Sequence, residues 1–338
     1  MGNLDKFCGC LIGGAAGDAL GCAVEFLYES QIFSLYGKEG ITEYALKNGI
    51  ARISDDTQMT LFTAEGLLLA DNSSDYINYI RKAYKCWYRT QTETYPLPDK
   101  PDSTLLKTPE LFSRRAPGMT CLSSIECGAK GTLDNHINNS KGCGGIMRVA
   151  PIGLFFADTD ISYEESDMLA AEAAALTHGH DLGFIPAAAL AHIVRAVTEN
   201  DVPLKTAVND AVKAMEKLFP FAGHISDFTA IMQKAVQLAE TETDSLSAIH
   251  QLGEGWVAEG TLAIAVYCAL KYENDFDTAI RTSVNHNGDS DSTGAVCGNI
   301  LGAYLVYADI PQKYKENLEL HNLIIEIADS LYNTKVRM

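Results

Sequence analysis

The sequence predicts an all-α protein. Apolar residues recur at spacings of three and four over most of the chain, convincing period-two alternation is missing, and alanine gathers in runs such as Ala170–Ala175 and Ala187–Ala191. That spacing puts apolar side chains on one helical face, and alanine carries the lowest helical cost. The N-terminal stretch carries Gly9, Gly13, Gly17 and Gly21, four residues apart, and Gly294, Gly298 and Gly302 repeat the pattern. An interior helix glycine costs about 1 kcal/mol relative to alanine. Close approach of two helix backbones would offset that cost. Both ladders are therefore expected near the centre of the molecule, with their ends at the active site; the alternative for Gly2–Gly21 is an irregular glycine-rich loop. Between the ladders, helical patterns cover Val149–Ala157, Ser166–Leu176, Leu182–Val197, Leu204–Phe219, Phe228–Ala239 and Ala258–Leu270, and a last one covers Leu318–Leu331. Arg89–Ser103 and Ala116–Gly145, rich in Pro, Gly, Ser and Asn, are expected to be loops. Neither resembles a linker, since similar helical patterns flank both, so one domain over residues 3–335 is expected.

Composition narrows the function. The 338 residues are 47% apolar and 21% charged, with a net charge of -18. Such a charge repels nucleic acid and anionic lipid, although cations bound locally can reverse the sign of a site. Nine cysteines without a Cys-x-x-Cys pair read as free or buried thiols in a reducing compartment. Phe7–Val24 is apolar, but its five glycines and Asp18 argue against a signal peptide. Met1-Gly2 has Lys6 where a myristoylation motif needs Ser or Thr. No segment is read as a membrane span, and a cytoplasmic location is expected.

Two acidic runs carry the chemistry. Ser54-Asp55-Asp56-Thr57 and Asp289-Ser290-Asp291-Ser292-Thr293 each precede an apolar helical pattern. Alone, the first is an ordinary helix start, with Ser or Asp capping free amides. A cap needs one side chain, however, and this run supplies four polar groups. Asn287-Gly288 gives the second run a tight turn. Both runs offer hard oxygen donors suited to Mg²⁺, Mn²⁺ or Ca²⁺. Asp289-Ser290-Asp291-Ser292-Thr293 also fits the D-x-D-x-T pattern of haloacid-dehalogenase phosphatases, but residues 281–287 do not form the apolar strand that pattern requires. His178-Gly179-His180 is read as a ligand contact (His178) beside a structural histidine (His180), and His286 as a support for the acidic loop. Trp87, Tyr88 and Tyr95 are candidates for stacking on a ligand ring, with core packing as the plainer account.

These motifs resemble the ADP-ribosylglycohydrolase family over essentially the whole chain. The residues that carry the resemblance are Gly17-Asp18-Ala19-Leu20-Gly21 through Glu25-Phe26, then Ser54 to Met59, Gly142 to Pro151, Thr177-His178-Gly179-His180 and Gly288 to Gly294. The resemblance implies a compact orthogonal multi-helix bundle with a central two-metal site holding two Mg²⁺ or Mn²⁺. By matching motifs, Ser54, Asp55 and Asp56 would ligate one ion, Asp289 and Ser292 the other, with Asp291 bridging. Glu25 would activate water, and catalysis would rest on Glu25, Asp56 and Asp291. The loop at Gly118 and the turn Ser140-Lys141-Gly142, with Gly144, would hold diphosphate and adenosine, and His178 would meet the diphosphate or ribose. Ser54 and Ser292 stand where threonine is commoner. Asn287 and Cys143 stand where glycine and asparagine are frequent. The implied activity is hydrolysis of the bond between ADP-ribose and an acceptor, whether a protein side chain such as arginine or serine or a small molecule. The family also contains crystallin-like structural members, a second reading that clustered carboxylates disfavour.

Overall fold

The computed structural model describes residues 2–70, 75–99, 102–199 and 202–335. Among them are fifteen α-helices and no β-strand, as expected. In order they are α1 (Gly2–Gly21), α2 (Glu29–Tyr36), α3 (Asp55–Ala70), α4 (Tyr76–Thr92), α5 (Met119–Glu126), α6 (Ala150–Phe155), α7 (Tyr163–Ala175) and α8 (Asp181–Glu199). There follow α9 (Leu204–Leu218), α10 (Ile225–Ala239), α11 (Ser245–Leu252), α12 (Ala258–Lys271), α13 (Phe276–Val284), α14 (Ser290–Asp309) and α15 (His321–Lys335).

Sequence pattern decides which helices lie inside. Residues 55–67 of α3, 182–198 of α8 and 290–303 of α14 are all buried. A helix without a polar face can be stable only in the interior. α9, by contrast, buries Leu204, Ala207, Val208, Ala211, Val212 and Met215, which recur at spacings of three and four, and turns charged residues outward. One expectation needs correcting here. α8 is long and apolar enough to span a membrane, but 94% of that window is buried within the protein. Its apolar character reflects contacts on every side with neighbouring helices.

α1 and α14 pack antiparallel through the two glycine ladders. A β-carbon on Gly9, Gly13 or Gly17 would stand 2.1, 2.3 or 2.0 Å from the carbonyl oxygens of Gly302, Gly298 and Gly294 respectively. At Gly21 the opposing carbonyl, 2.2 Å away, belongs to Ser290. The ladders are thus a backbone-to-backbone contact, and Gly2–Gly21 is a helix rather than a loop. Antiparallel pairing also sets the C-terminal end of α1 beside the N-terminal end of α14, where the second acidic run lies. α14 breaks late, at Val306, whose φ of 68° is not helical.

The expected loop at Ala116–Gly145 contains α5 and a 3-10 turn at Cys143–Gly145, and the expected loop at Arg89–Ser103 begins inside α4. α5 is only eight residues long, too short to show periodicity against its Pro- and Gly-rich flanks. Helices α2, α11 and α13 are of similar length. α7 starts earlier than its apolar pattern because Ser162 and Glu165 form a capping box. The nine cysteines are all free.

Candidate active site

The two acidic runs and the glycine turn meet at one cavity of about 280 Å³. One side is lined by Glu25, Asp55, Asp56, Asp289, Asp291 and Ser292. Gly118, Gly142, Gly144 and His178 line the other. No lysine or arginine is among the lining residues. All five carboxylate residues are at most 8% exposed.

The first run sits at the start of α3. The Ser54 hydroxyl accepts from the Asp56 amide at 3.1 Å, so Ser54 does cap the helix, and it is not on the cavity wall. The capping account and the ligand account thus divide the run: Ser54 caps, while Asp55 and Asp56 face the cavity. Asp18, from inside the glycine ladder of α1, fixes the whole run. Its carboxylate accepts from the Ser54 amide at 2.8 and 3.0 Å, the Thr57 amide at 3.1 Å and the Thr57 hydroxyl. Asp18 is fully buried. No site role was expected for it; a lone carboxylate among glycines and alanines was the available signal. A second brace comes from the C-terminal segment. Glu319 pairs with Arg115 at 2.9 Å and accepts from the Ile53 amide at 3.1 Å, while the Arg115 carbonyl accepts from the Asp55 amide at 3.1 Å.

The second run caps α14 with its own side chain. Asp289 Oδ1 accepts from the Ser292 amide at 3.2 Å, and Asp291 Oδ1 accepts from the same amide at 2.9 Å. Gly288 has φ 113°, and a β-carbon there would lie 2.0 Å from the Glu254 carbonyl oxygen, so only glycine serves. That carbonyl accepts from the Asp289 amide at 2.8 Å. His286 lies 3.0 Å from the Thr293 hydroxyl and 2.7 Å from the Asn287 carbonyl, the supporting role expected of it. Asn287 also accepts from the Glu29 amide at 2.8 Å, tying the segment after Glu25 to this loop. Asp289 follows a helix, α13, instead of a buried strand, which removes the structural basis of the phosphatase pattern.

Burial, reinforced by neighbouring charge, favours the protonated form of several of these groups. Burial first, then Asp291, Asp289 and Asp55, pushes Glu25 up to about 10. Burial and then Asp291 raise Asp18 to about 7 and drive Asp55, Asp56 and Asp289 well above the usual carboxylate range. The carboxylates are engaged separately. Asp55 accepts from the Gly118 amide at 3.4 Å and Asp289 from the Cys143 thiol at 2.7 Å. Asp56 Oδ2 is buried without a hydrogen-bond partner. Among the described residues no three acidic, thiol or imidazole groups are gathered tightly enough to hold an ion. The donor set still fits a hard divalent cation: oxygens only from the two runs, one of them buried and unpartnered.

Behind His178, off the cavity wall, Arg148 is fully buried over the Tyr84 ring, 4.3 Å from its centroid, and donates to the Thr177 hydroxyl at 2.7 Å. That hydroxyl lies 2.8 Å from His178 Nδ1. The same hydroxyl reaches the Ala174 carbonyl at 3.4 Å, and donation to the nearer Nδ1 would leave the ring proton on Nε2. Nε2 faces Gly142 and Gly144, 3.4 Å from where a β-carbon on either would stand. Burial and then Arg148 lower His178 to about 3, so the ring is a neutral donor. Ser140 and Lys141 lie off the cavity wall. Ser140 sits behind it, 3.3 Å from Thr120, and Lys141 pairs with Glu259. His180 accepts from the Leu182 amide at 3.0 Å, the structural part expected of it. Trp87 is core, donating to Gln58 at 3.1 Å, and Trp87, Tyr88 and Tyr95 do not line the cavity. Phe26, Met119 and Trp256 do line it, and their helical-pattern neighbours gave no hint of this.

The chain has relatives that match it over nearly its whole length. The chain is 24% identical to ADP-ribosylhydrolase ARH3 of Bos taurus, covering 98% of this chain and 93% of that one. It is 24% identical to ADP-ribosylarginine hydrolase Tri1 of Serratia proteamaculans, covering 98% and 80%. A solved structure described as an ADP-ribosylglycohydrolase-related protein complex superposes with a TM-score of 0.69 at 23% identity, covering 99% of both chains, a likeness of fold. The family model for ADP-ribosylglycohydrolase matches residues 2–337, and the chain belongs to that family.

Proposed function

We propose that this protein is a divalent-metal-dependent hydrolase that cleaves the glycosidic bond between ADP-ribose and an acceptor, so reversing ADP-ribosylation. The observation that carries it is the meeting of four buried carboxylates, from two runs more than 230 residues apart, with Glu25 on one cavity that includes an unpartnered Asp56 oxygen. Membership of the family and the activities named for ARH3 and Tri1 support the same chemistry.

Asp55 and Asp56, with Ser54 behind them, would hold one Mg²⁺ or Mn²⁺; Asp289, Asp291 and Ser292 would hold a second. Bound there, such ions lower the pKa of water and grip vicinal hydroxyls. The chain's own groups do the rest. Cations bound there would offset the neighbouring carboxylates that keep Glu25 protonated, and the ionised Glu25 would accept the proton from the attacking water. The water oxygen bonds to the anomeric carbon as the carbon–acceptor bond breaks, and the acceptor leaves with the bonding pair and takes up a proton. Positive charge developing at that carbon is stabilised by the surrounding carboxylates. The backbone amides of Gly144 and Gly145, with His178 Nε2 in its protonated tautomer, would be donors for the diphosphate, with glycine permitting close approach.

Incubation with ADP-ribosyl-arginine, ADP-ribosyl-serine and a generic phosphomonoester, each with and without Mg²⁺ or Mn²⁺, tests this. Metal-dependent release of ADP-ribose is expected from at least one of the first two. Release of phosphate alone, or binding of ADP-ribose without turnover, overturns it.

A further inference from the structure

We infer that Phe26 and Trp256 form the acceptor-recognition face of the cavity, and that the acceptor they select is a flat cation of the guanidinium class. This rests on the proposed glycosidic hydrolysis and extends it to the leaving group.

Phe26 and Trp256 are stacked, with ring centroids 6.2 Å apart and planes 25° from parallel. Both line the cavity, yet Phe26 is 71% exposed and Trp256 41%. Large aromatic rings kept at a cavity mouth are available to a ligand. Both are tied to its acidic end. Phe26 follows Glu25 directly, so its ring stands outward of the proton acceptor. Trp256 follows Gly255, where a β-carbon would stand 3.2 Å from the Asp289 carbonyl oxygen, and Glu254 accepts the Asp289 amide. The Trp256 carbonyl accepts from the Cys143 amide at 3.3 Å, which fixes that segment. The bond to be cleaved lies at this acidic end, so the acceptor leaves past the two rings.

Charge then selects the acceptor. Five carboxylates line the cavity, and no lysine or arginine does. Two divalent ions would offset four of those five charges, and a bound diphosphate would make the site more negative still. A negative site bordered by aromatic faces favours a delocalised cation, which gains from ring stacking and from the ring quadrupole. A neutral hydroxyl acceptor gains neither.

The experiment compares kcat/KM for ADP-ribosyl-arginine and ADP-ribosyl-serine in the wild-type protein and in Phe26→Ala, Trp256→Ala and Trp256→Phe. Trp256→Ala is expected to lower the arginine-to-serine ratio about tenfold, whereas Trp256→Phe, keeping a ring, retains most of it. An unchanged ratio overturns the inference. So does an equal loss for both substrates together with weaker binding of free ADP-ribose, which would put the rings at the adenosine end. The second readout needs no turnover. The chain has two tryptophans, so in a Trp87→Phe background the emission reports Trp256 alone. Titration with methylguanidinium in the presence of ADP-ribose should change that emission, and an unaltered emission overturns the inference. If neither substrate is hydrolysed by the wild type, the proposed function fails, and the emission titration alone decides this one.

Discussion

The acidic run at 54–57 is held from outside itself, whereas the run at 289–293 largely holds itself. Asp18 on α1 accepts from the Ser54 and Thr57 amides and the Thr57 hydroxyl, and the Arg115–Glu319 pair braces the backbone on either side of Ser54. In the second run Asp289 caps its own helix, and the Thr293 hydroxyl donates to the Ser283 carbonyl at 2.7 Å, with His286 beside it. Both runs end with carboxylates in the same cavity. Local capping is enough when the residues before a helix can form a turn, as Asn287-Gly288 does. Ser54 ends the irregular segment 52–54, which supplies no turn, so a distant carboxylate takes over the anchoring.

The largest contrast is between losing a cavity carboxylate and losing an anchor. Asp56→Ala or Asp291→Ala should cut metal-dependent turnover by about a thousandfold or more, while far-ultraviolet circular dichroism stays helical. Unchanged turnover at limiting metal in either variant would remove that carboxylate from the chemistry. Asp18→Ala should instead be read chiefly in stability. It leaves buried amide and hydroxyl donors of Ser54 and Thr57 unpaired, at a cost of about 2–4 kcal/mol in denaturant unfolding. If the second run is as self-sufficient as its contacts indicate, Thr293→Val should cost less, about 1–2 kcal/mol by the same measurement. A larger loss for Thr293→Val than for Asp18→Ala would reverse the comparison.

The opposite wall supplies a smaller, pH-dependent test. His178 is held down to about 3, so below its ordinary value of 6.5 the unfolded chain takes up a proton that the folded protein does not. Stability therefore falls as pH drops, by about 1 kcal/mol between pH 6.5 and 5.5 from this group. Asp18, raised to about 7, works in the opposite direction, because the folded protein takes up its proton first. The difference between wild-type and His178→Gln stability curves isolates the histidine's share; parallel curves would mean that His178 protonates in the folded protein.

Much of the fold was legible because interior and surface helices differ in pattern. The amphipathic faces of α9 and α10, the alanine runs of α7 and α8 and the paired glycine ladders each specify local structure through short-range periodicity. α5, with eight residues between glycine-rich flanks, carries too little periodicity to read. At the site, the two acidic runs and the glycine turn stood out because clustered oxygens and glycines are chemically unusual. Asp18 did not, since one carboxylate in an apolar helix has no pattern until its partners are known. Trp256 was hidden for the same reason, and Phe26, although beside Glu25 in its motif, shows no relation in sequence to an aromatic residue 230 positions away.

The sequence by itself determined the helices, the close approach encoded by the ladders and the oxygen-rich character of two distant runs. These follow from periodicity, backbone sterics and side-chain chemistry within a few residues. Only the tertiary structure decided which oxygens share the cavity, which of them serve as caps, and what stands at its mouth. Those outcomes depend on contacts between residues far apart in the chain, where partner identity is fixed by how α1 and α14 pack and by which backbone groups are left in need of a partner.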